Sequence, residues 1–144
     1  MLLLVALPPL ALAPSCGKSP PVSIFPLVSQ EEIAHGESIY AGNCRPCHGT
    51  PEQGNLPVFR PLVNERIVNA DPLKLAGVML FSKHHRQGPD GPYLFADMTD
   101  EDVACVGNFL RSRIGSDQAP LRAKIVERAR EIHEERDEGV QPEP

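Results

Sequence analysis

Tryptophan is absent from this chain, and only two tyrosines and five phenylalanines serve its 144 residues. A small domain with so few large rings often needs something else at its centre, such as a metal, disulfides or a cofactor. An excess of positive charge is missing too, since the formal net charge is -5. With no basic stripe to neutralise phosphates, nucleic acid is a poor partner. Long apolar runs are confined to the opening MLLLVALPPLALAPSC, which is too short, and too broken by Pro8 and Pro9, to span a bilayer comfortably. No convincing strand pattern and no internal repeat is present. Cysteine is too scarce for a disulfide scaffold. Of four, Cys16 borders the leading apolar segment, leaving Cys44, Cys47 and Cys105, an odd number.

What is there reads as helices joined by Gly- and Pro-rich loops. Residues 1–15 have the length and apolar character of a signal peptide, although the positive n-region is missing, so the chain is expected to be exported. Lipidation of Cys16 would be its route to a membrane. Residues 16–28 form an extended, proline-rich linker. Ser29 then offers an N-cap with Glu32 three residues on, flanked by Val28 and Ile33 as a hydrophobic staple. That helix is expected from Gln30 to about Ala41, with Ile33, Gly36, Ile39 and Tyr40 on one face and Gly42-Asn43 as its stop. Asp71-Pro72 opens a second helix to about Phe81, and residues 82–97 form a long polar loop. Thr99 caps a third, with Met98 and Val103 as staple, Val103, Val106, Phe109 and Leu110 as inward stripe, and Gly115 as stop. The main domain is therefore expected over residues 29–116. A charged helical extension follows over 117–139, with Leu121, Ile125, Ala129 and Ile132 spaced four, four and three residues apart and ion pairs such as Arg130 with Glu134. Residues 140–144 are a flexible tail.

The chemistry is concentrated in C-R-P-C-H, residues 44–48. Structural zinc needs four ligands, and adjacent Cys47 and His48 do not easily occupy neighbouring tetrahedral vertices. A redox disulfide wants the C-x-x-C after a strand within a βαβ unit, whereas this one follows a helix. Covalent haem uses every residue. Each thiol bonds one vinyl-derived carbon of the porphyrin, and the histidine just beyond reaches the iron. Porphyrin would also be the missing centre of an aromatic-poor core.

These residues carry a family resemblance. Gly36, Tyr40, Cys44, Cys47 and His48 follow G-x-x-x-[YF]-x-x-x-C-x-x-C-H, and D-E-D-V-A-C-V-G-N-F-L-R supplies the final core helix. Over residues 29–116 the chain resembles a class I c-type cytochrome, in particular the small cytochrome domains that serve bacterial periplasmic dehydrogenases. The resemblance implies an all-α class I cytochrome c-like fold wrapped around one covalent haem c, here with an added C-terminal helix. It implies that Gly36 and Tyr40 cross the last core helix at Val106 and Phe109. It implies single-electron transfer between periplasmic redox partners, as a carrier or as a subunit of a dehydrogenase or oxidase complex rather than an enzyme alone.

The family's distal methionine sits in M-P-x-F-x-x-[LM]-[ST]-D-E; here P-Y-L-F-A-D-M-T-D-E puts Pro92 at that position. Met98 is the favoured distal ligand, with Met79, His84 and His85 as further candidates and an open site as the remaining one. An open or histidine-ligated iron carries the alternative function, binding or sensing a small ligand or catalysis. Arg60 is read as a surface arginine, with a haem propionate as its competing partner, and Cys105 as a buried, inert thiol.

Overall fold

The computed structural model describes residues 28–139. The expected signal peptide, nearly all of the linker and the tail lie outside these residues. Five α-helices follow in order: α1 (Gln30–Asn43), α2 (Arg45–His48), α3 (Pro72–Phe81), α4 (Asp100–Ile114) and α5 (Ala123–Gly139). Short 3-10 turns occupy Leu62–Asn64 and Lys83–His85. Among the described residues there is no β-strand, and isolated bridges pair Thr50 with Gly54, Asn55 with Phe59 and Arg86 with Tyr93.

Local signals set the helix starts. The Glu32 amide donates to Ser29 Oγ at 3.0 Å and the Ser29 amide to Glu32 Oε2 at 2.9 Å, a complete capping box. Asp71 Oδ1 accepts from the Leu73 amide at 2.9 Å, with Pro72 at the first helical position, and Thr99 Oγ1 accepts from the Asp102 amide at 3.1 Å. Gly115 ends α4 in the left-handed region, φ 61°. The first helix runs further than expected, to Asn43. Cys44 stays αR, and the C-R-P-C-H motif continues as the helical turn α2 before the loop that follows His48.

α4 is the axle. Every residue from Val103 to Arg111 is buried, because α1 crosses one side while α3 and α5 pack on the other. The α1–α4 crossing is as close as the sequence implies. A Cβ at Gly36 would stand 2.1 Å from the Cys105 carbonyl oxygen and 3.0 Å from Phe109 Cβ. One turn on, the Tyr40 and Phe109 rings meet at 5.5 Å. Gly36→Ala should therefore cost about 1–3 kcal/mol, since backbone must separate to admit a methyl group. Gly42, where a Cβ meets nothing within 4 Å, is the control. Gly42→Ala should leave stability unchanged or raise it by up to about 1 kcal/mol. Urea unfolding of both variants decides the matter, and equal midpoints would refute the tight crossing.

Two apolar clusters result. One gathers Ala76, Leu80, Val103, Ala104, Leu121, Val126 and Ala129, and the other Tyr40, Val68, Val106, Phe109 and Leu110. Met79 and Met98 pack against both.

The C-terminal extension is tied in more firmly than a charged surface helix would be. Its buried stripe is Leu121, Val126 and Ala129, with Ile125 and Ile132 half-buried, because α5 starts at Ala123 and its contact face follows the 3.6-residue period. Arg130 does not pair with Glu134. It bonds Asp100 Oδ1 at 2.7 Å and the carbonyls of Ala96 and Met98, while Arg128 takes the helix-surface pairs with Glu131 and Glu135. His133 stacks on Phe81 at 3.9 Å and meets the Tyr93 ring at 5.3 Å. Thus α5 holds the segment leading into α4 and the far side of the 82–97 loop.

Candidate functional site

Between the two clusters lies a cavity of about 670 Å³, within the size range of pockets that enclose cofactors (about 300–1,000 Å³). Its walls are mainly apolar and come from both halves of the core, including Val68, Leu75, Leu80, Val103, Val106 and Leu110. Cys44, His48, Met79, His84, His85 and Met98 also face it. All candidate residues except Cys47 thus converge on one space.

The motif is presented at the end of α1. Its turn is fastened by the His48 amide to the Cys44 carbonyl at 2.9 Å and the Gly49 amide to the Arg45 carbonyl at 2.8 Å. Tyr40 OH donates to the Gly49 carbonyl at 2.9 Å, and burial pushes the Tyr40 phenol up to about 12, so it stays a donor. Gly49 itself has φ 67°, and a Cβ there would lie 2.1 Å from the Gly54 carbonyl oxygen. Glycine directly after the histidine is what lets the following loop fold back against the motif.

Both motif cysteines are unpaired thiols: Cys44 is half-buried against the cavity and Cys47 exposed. Burial, then the neighbouring Cys47, holds the Cys44 thiol up at about 11. One nitrogen of the His48 ring is orphaned. Its Nδ1 is buried with no hydrogen-bond partner, in a wall where an unmet polar atom is costly. Burial first, and His85 second, lower its pKa, which favours the neutral imidazole a metal requires. The Phe59 ring lies 5.0 Å from that of His48 and limits its movement.

A haem fits this arrangement. An apolar cavity of cofactor size, two free thiols at its margin and an imidazole with an unsatisfied buried nitrogen are what a covalently held porphyrin would need. Cys44, Cys47 and His48 are the residues that would hold it. Among the described residues, no group of three or more His, Cys, Asp or Glu side chains is placed to hold a free metal ion.

The remaining candidates divide by environment. His85 is half-buried; its Nδ1 lies 2.9 Å from the Met79 carbonyl oxygen, its ring 5.1 Å from Phe95 and 6.1 Å from His48. His84 is exposed at the cavity edge. Met98 stays in the staple position of α4, packed against Val103's cluster and its neighbour, while its carbonyl accepts from Arg130. Arg60 is exposed, as expected of a surface arginine. Cys105 is buried and unpaired, and burial raises its pKa, in keeping with an inert thiol. Phe95, beside His85, is the phenylalanine of the loop pattern, whereas the position of Phe59 beside His48 had no signature in the sequence, because it follows no helical period.

Comparison with known proteins agrees with this geometry. The cytochrome c family profile matches residues 33–113. A cytochrome c6 from Cyanidioschyzon merolae is 28% identical over 79 residues, covering 55% of this chain and 72% of the relative. No solved structure matches significantly. The matched span begins in α1 and ends in the last turn of α4, enclosing the motif, the cavity and the helix crossing. The chain belongs to the cytochrome c family, all-α proteins that bind haem c covalently, and it is a class I member with one C-x-x-C-H motif.

Proposed function

We propose that this protein carries single electrons between periplasmic redox partners, as a mobile carrier or as a subunit of an oxidoreductase complex. In this reading Cys44 and Cys47 would hold the haem through two thioethers and His48 would supply an imidazole nitrogen to its iron. The observation that carries it is the apolar cavity faced by an orphaned imidazole beside two free thiols. Membership of an electron-carrying haem family and the likeness to a cytochrome c6 support it. Export is supported by the apolar leader in residues 1–15.

Bound haem supplies the one-electron ferric–ferrous couple, and the chain's residues set its surroundings. Each cycle accepts one electron from a donor protein and passes it to an acceptor, with no bond made or broken in a substrate. The α1–α2 turn fixes the His48 ring, the walls from α3 and α4 exclude water, and Tyr40 keeps the turn closed. Val58 and Val78 line the cavity yet are 74% and 38% exposed, so the opening is bordered by apolar surface where a partner protein can approach.

Denaturing mass spectrometry tests the attachment. Protein from cells competent in haem attachment should carry an increment close to one haem that survives unfolding. Cys44→Ala together with Cys47→Ala should abolish it. An unmodified wild-type mass would end this reading. Electron transfer is tested by stopped-flow reduction with a small-protein donor, where turnover without reversible reduction would sink the carrier role.

A further inference from the structure

We infer that His85, rather than a methionine, is the second axial ligand of the haem iron. The proposal rests on the reading of His48 as proximal ligand and adds the residue across from it. Two imidazoles bound on opposite sides of one metal, each nitrogen about 2 Å from it, place their ring centroids roughly 6 Å apart. The His48 and His85 rings stand at that separation, 6.1 Å, in an edge-type arrangement with planes at 86°. Perpendicular planes are compatible with a shared axis, since each ring can turn about its own bond to the metal.

The His85 ring is also prepared as ligands are. A carbonyl oxygen only accepts, so at 2.9 Å from the Met79 carbonyl the His85 Nδ1 must carry the proton. That leaves Nε2 with the lone pair. Metal-bound histidines are typically oriented by such a hydrogen bond to their other nitrogen, which fixes tautomer and ring direction. The backbone is fastened on both sides, by the His85 amide to the Ser82 carbonyl at 2.8 Å and the Leu94 amide to the His85 carbonyl at 2.7 Å. The Arg86–Tyr93 bridge closes the loop beyond it, and Phe95 packs edge-on against the ring. His84 lacks these restraints: it is exposed, and its described hydrogen bond is from its amide to Ser82 Oγ.

Both candidate methionines border the cavity, and both also serve the packing around it. Met98 fills the junction of both apolar clusters, and its backbone is held by the Phe95 carbonyl at 3.2 Å and by Arg130 from α5. Met98 borders the cavity, but its side chain packs against both apolar clusters, and among the described residues no hydrogen bond or ring contact aims it across from His48 as His85 is aimed. Met79 likewise packs against both clusters. The pinned loop and the proline at position 92 are then two sides of one arrangement. Proline occupies the loop position at which the resemblance expects a thioether ligand, and the same loop holds an imidazole toward His48 instead.

The test uses holo-protein whose haem content has first been established by mass. The wild-type ferric form should be low-spin, without the near-infrared methionine–iron charge-transfer band. His85→Ala should become high-spin and its ferrous form should gain rapid carbon monoxide binding, with imidazole restoring the low-spin spectrum. His85→Met guards against simple unfolding, since it should stay six-coordinate, acquire the methionine band and shift to a higher reduction potential. Met98→Ala, Met79→Ala and His84→Ala should keep the wild-type ligand spectrum. A methionine band in wild type that disappears in Met98→Ala or Met79→Ala would overturn the proposal. So would low-spin signals lost in His84→Ala but kept in His85→Ala, or a high-spin wild type. Absence of attached haem would instead defeat the reading of the site itself.

Discussion

Protein lacking its haem should fall from a cooperatively folded state to a molten one. The magnitude follows from the cavity. Without porphyrin, a mainly apolar space of about 670 Å³ is left to water, which forfeits about 1.5–3 kcal/mol for each large apolar side chain left fully exposed on its wall. The whole stability of an ordinary domain is roughly 5–15 kcal/mol. A few such side chains are enough to make an open apo form untenable, so the walls should close on themselves. Collapse cannot preserve the native packing, because Val68, Val103, Val106 and Leu110 belong to the two clusters and also face the cavity. Helices with strong local signals, α1 with its capping box and α4 with its threonine cap, should survive in part. The Cys44→Ala, Cys47→Ala protein should then retain much of its far-ultraviolet dichroism, lose near-ultraviolet signal, bind a hydrophobic dye and unfold without a sharp transition. Equal helicity and an equally sharp melt in apo- and holo-protein would show that the polypeptide fills its own core.

The same dependence explains why so much of this protein was legible from sequence. C-R-P-C-H is a chemical requirement compressed into five neighbouring residues, so it survives without knowledge of the fold. The caps at Ser29, Asp71 and Thr99 are equally local, and the structure forms each of them. Gly36 was readable because close helix approach leaves a glycine where propensity argues against one. Features that depend on distant segments meeting were hidden. Nothing in S-K-H-H-R-Q distinguishes His85 from His84; only the fold turns one ring toward His48 and leaves the other exposed. The C-terminal helix was misjudged in its stripe for a related reason. Val126 looked like one more surface position on a four-residue count, yet it is fully buried against α3 and α4. Asn108 is hidden likewise: a polar residue on the core helix, it is buried because its amide group takes both the Leu121 amide, at 2.8 Å, and the Leu121 carbonyl, at 3.0 Å.

Replacing Arg111 with methionine should destabilise holo-protein by about 3 kcal/mol or more, although its neighbours Ser112 and Arg113 are exposed. Its guanidinium is fully buried in the last turn of α4. Nε donates to the Val68 carbonyl at 3.2 Å, and the two terminal nitrogens donate to the carbonyls of Ala119 and Ala70. One side chain thus ties together the cavity wall at Val68, the lead into α3 and the link into α5. Burial lowers its pKa, with Asp71 opposing, but a guanidinium stays charged in proteins, so the carbonyls are compensating a buried cation. Methionine matches the length of the stem and leaves three acceptors without a donor, at about 1–3 kcal/mol for each one left dry. Lysine should rescue little, because one ammonium cannot span three acceptors fixed to the guanidinium fork. The nearby Arg113 gives the contrast: its pairing with Glu52 is largely exposed, and Arg113→Met should cost less than about 1 kcal/mol. Urea unfolding followed through the haem absorbance would measure both. A cost for Arg111→Met as small as that for Arg113→Met would mean water replaces the latch, and that the C-terminal extension is held by its apolar stripe alone.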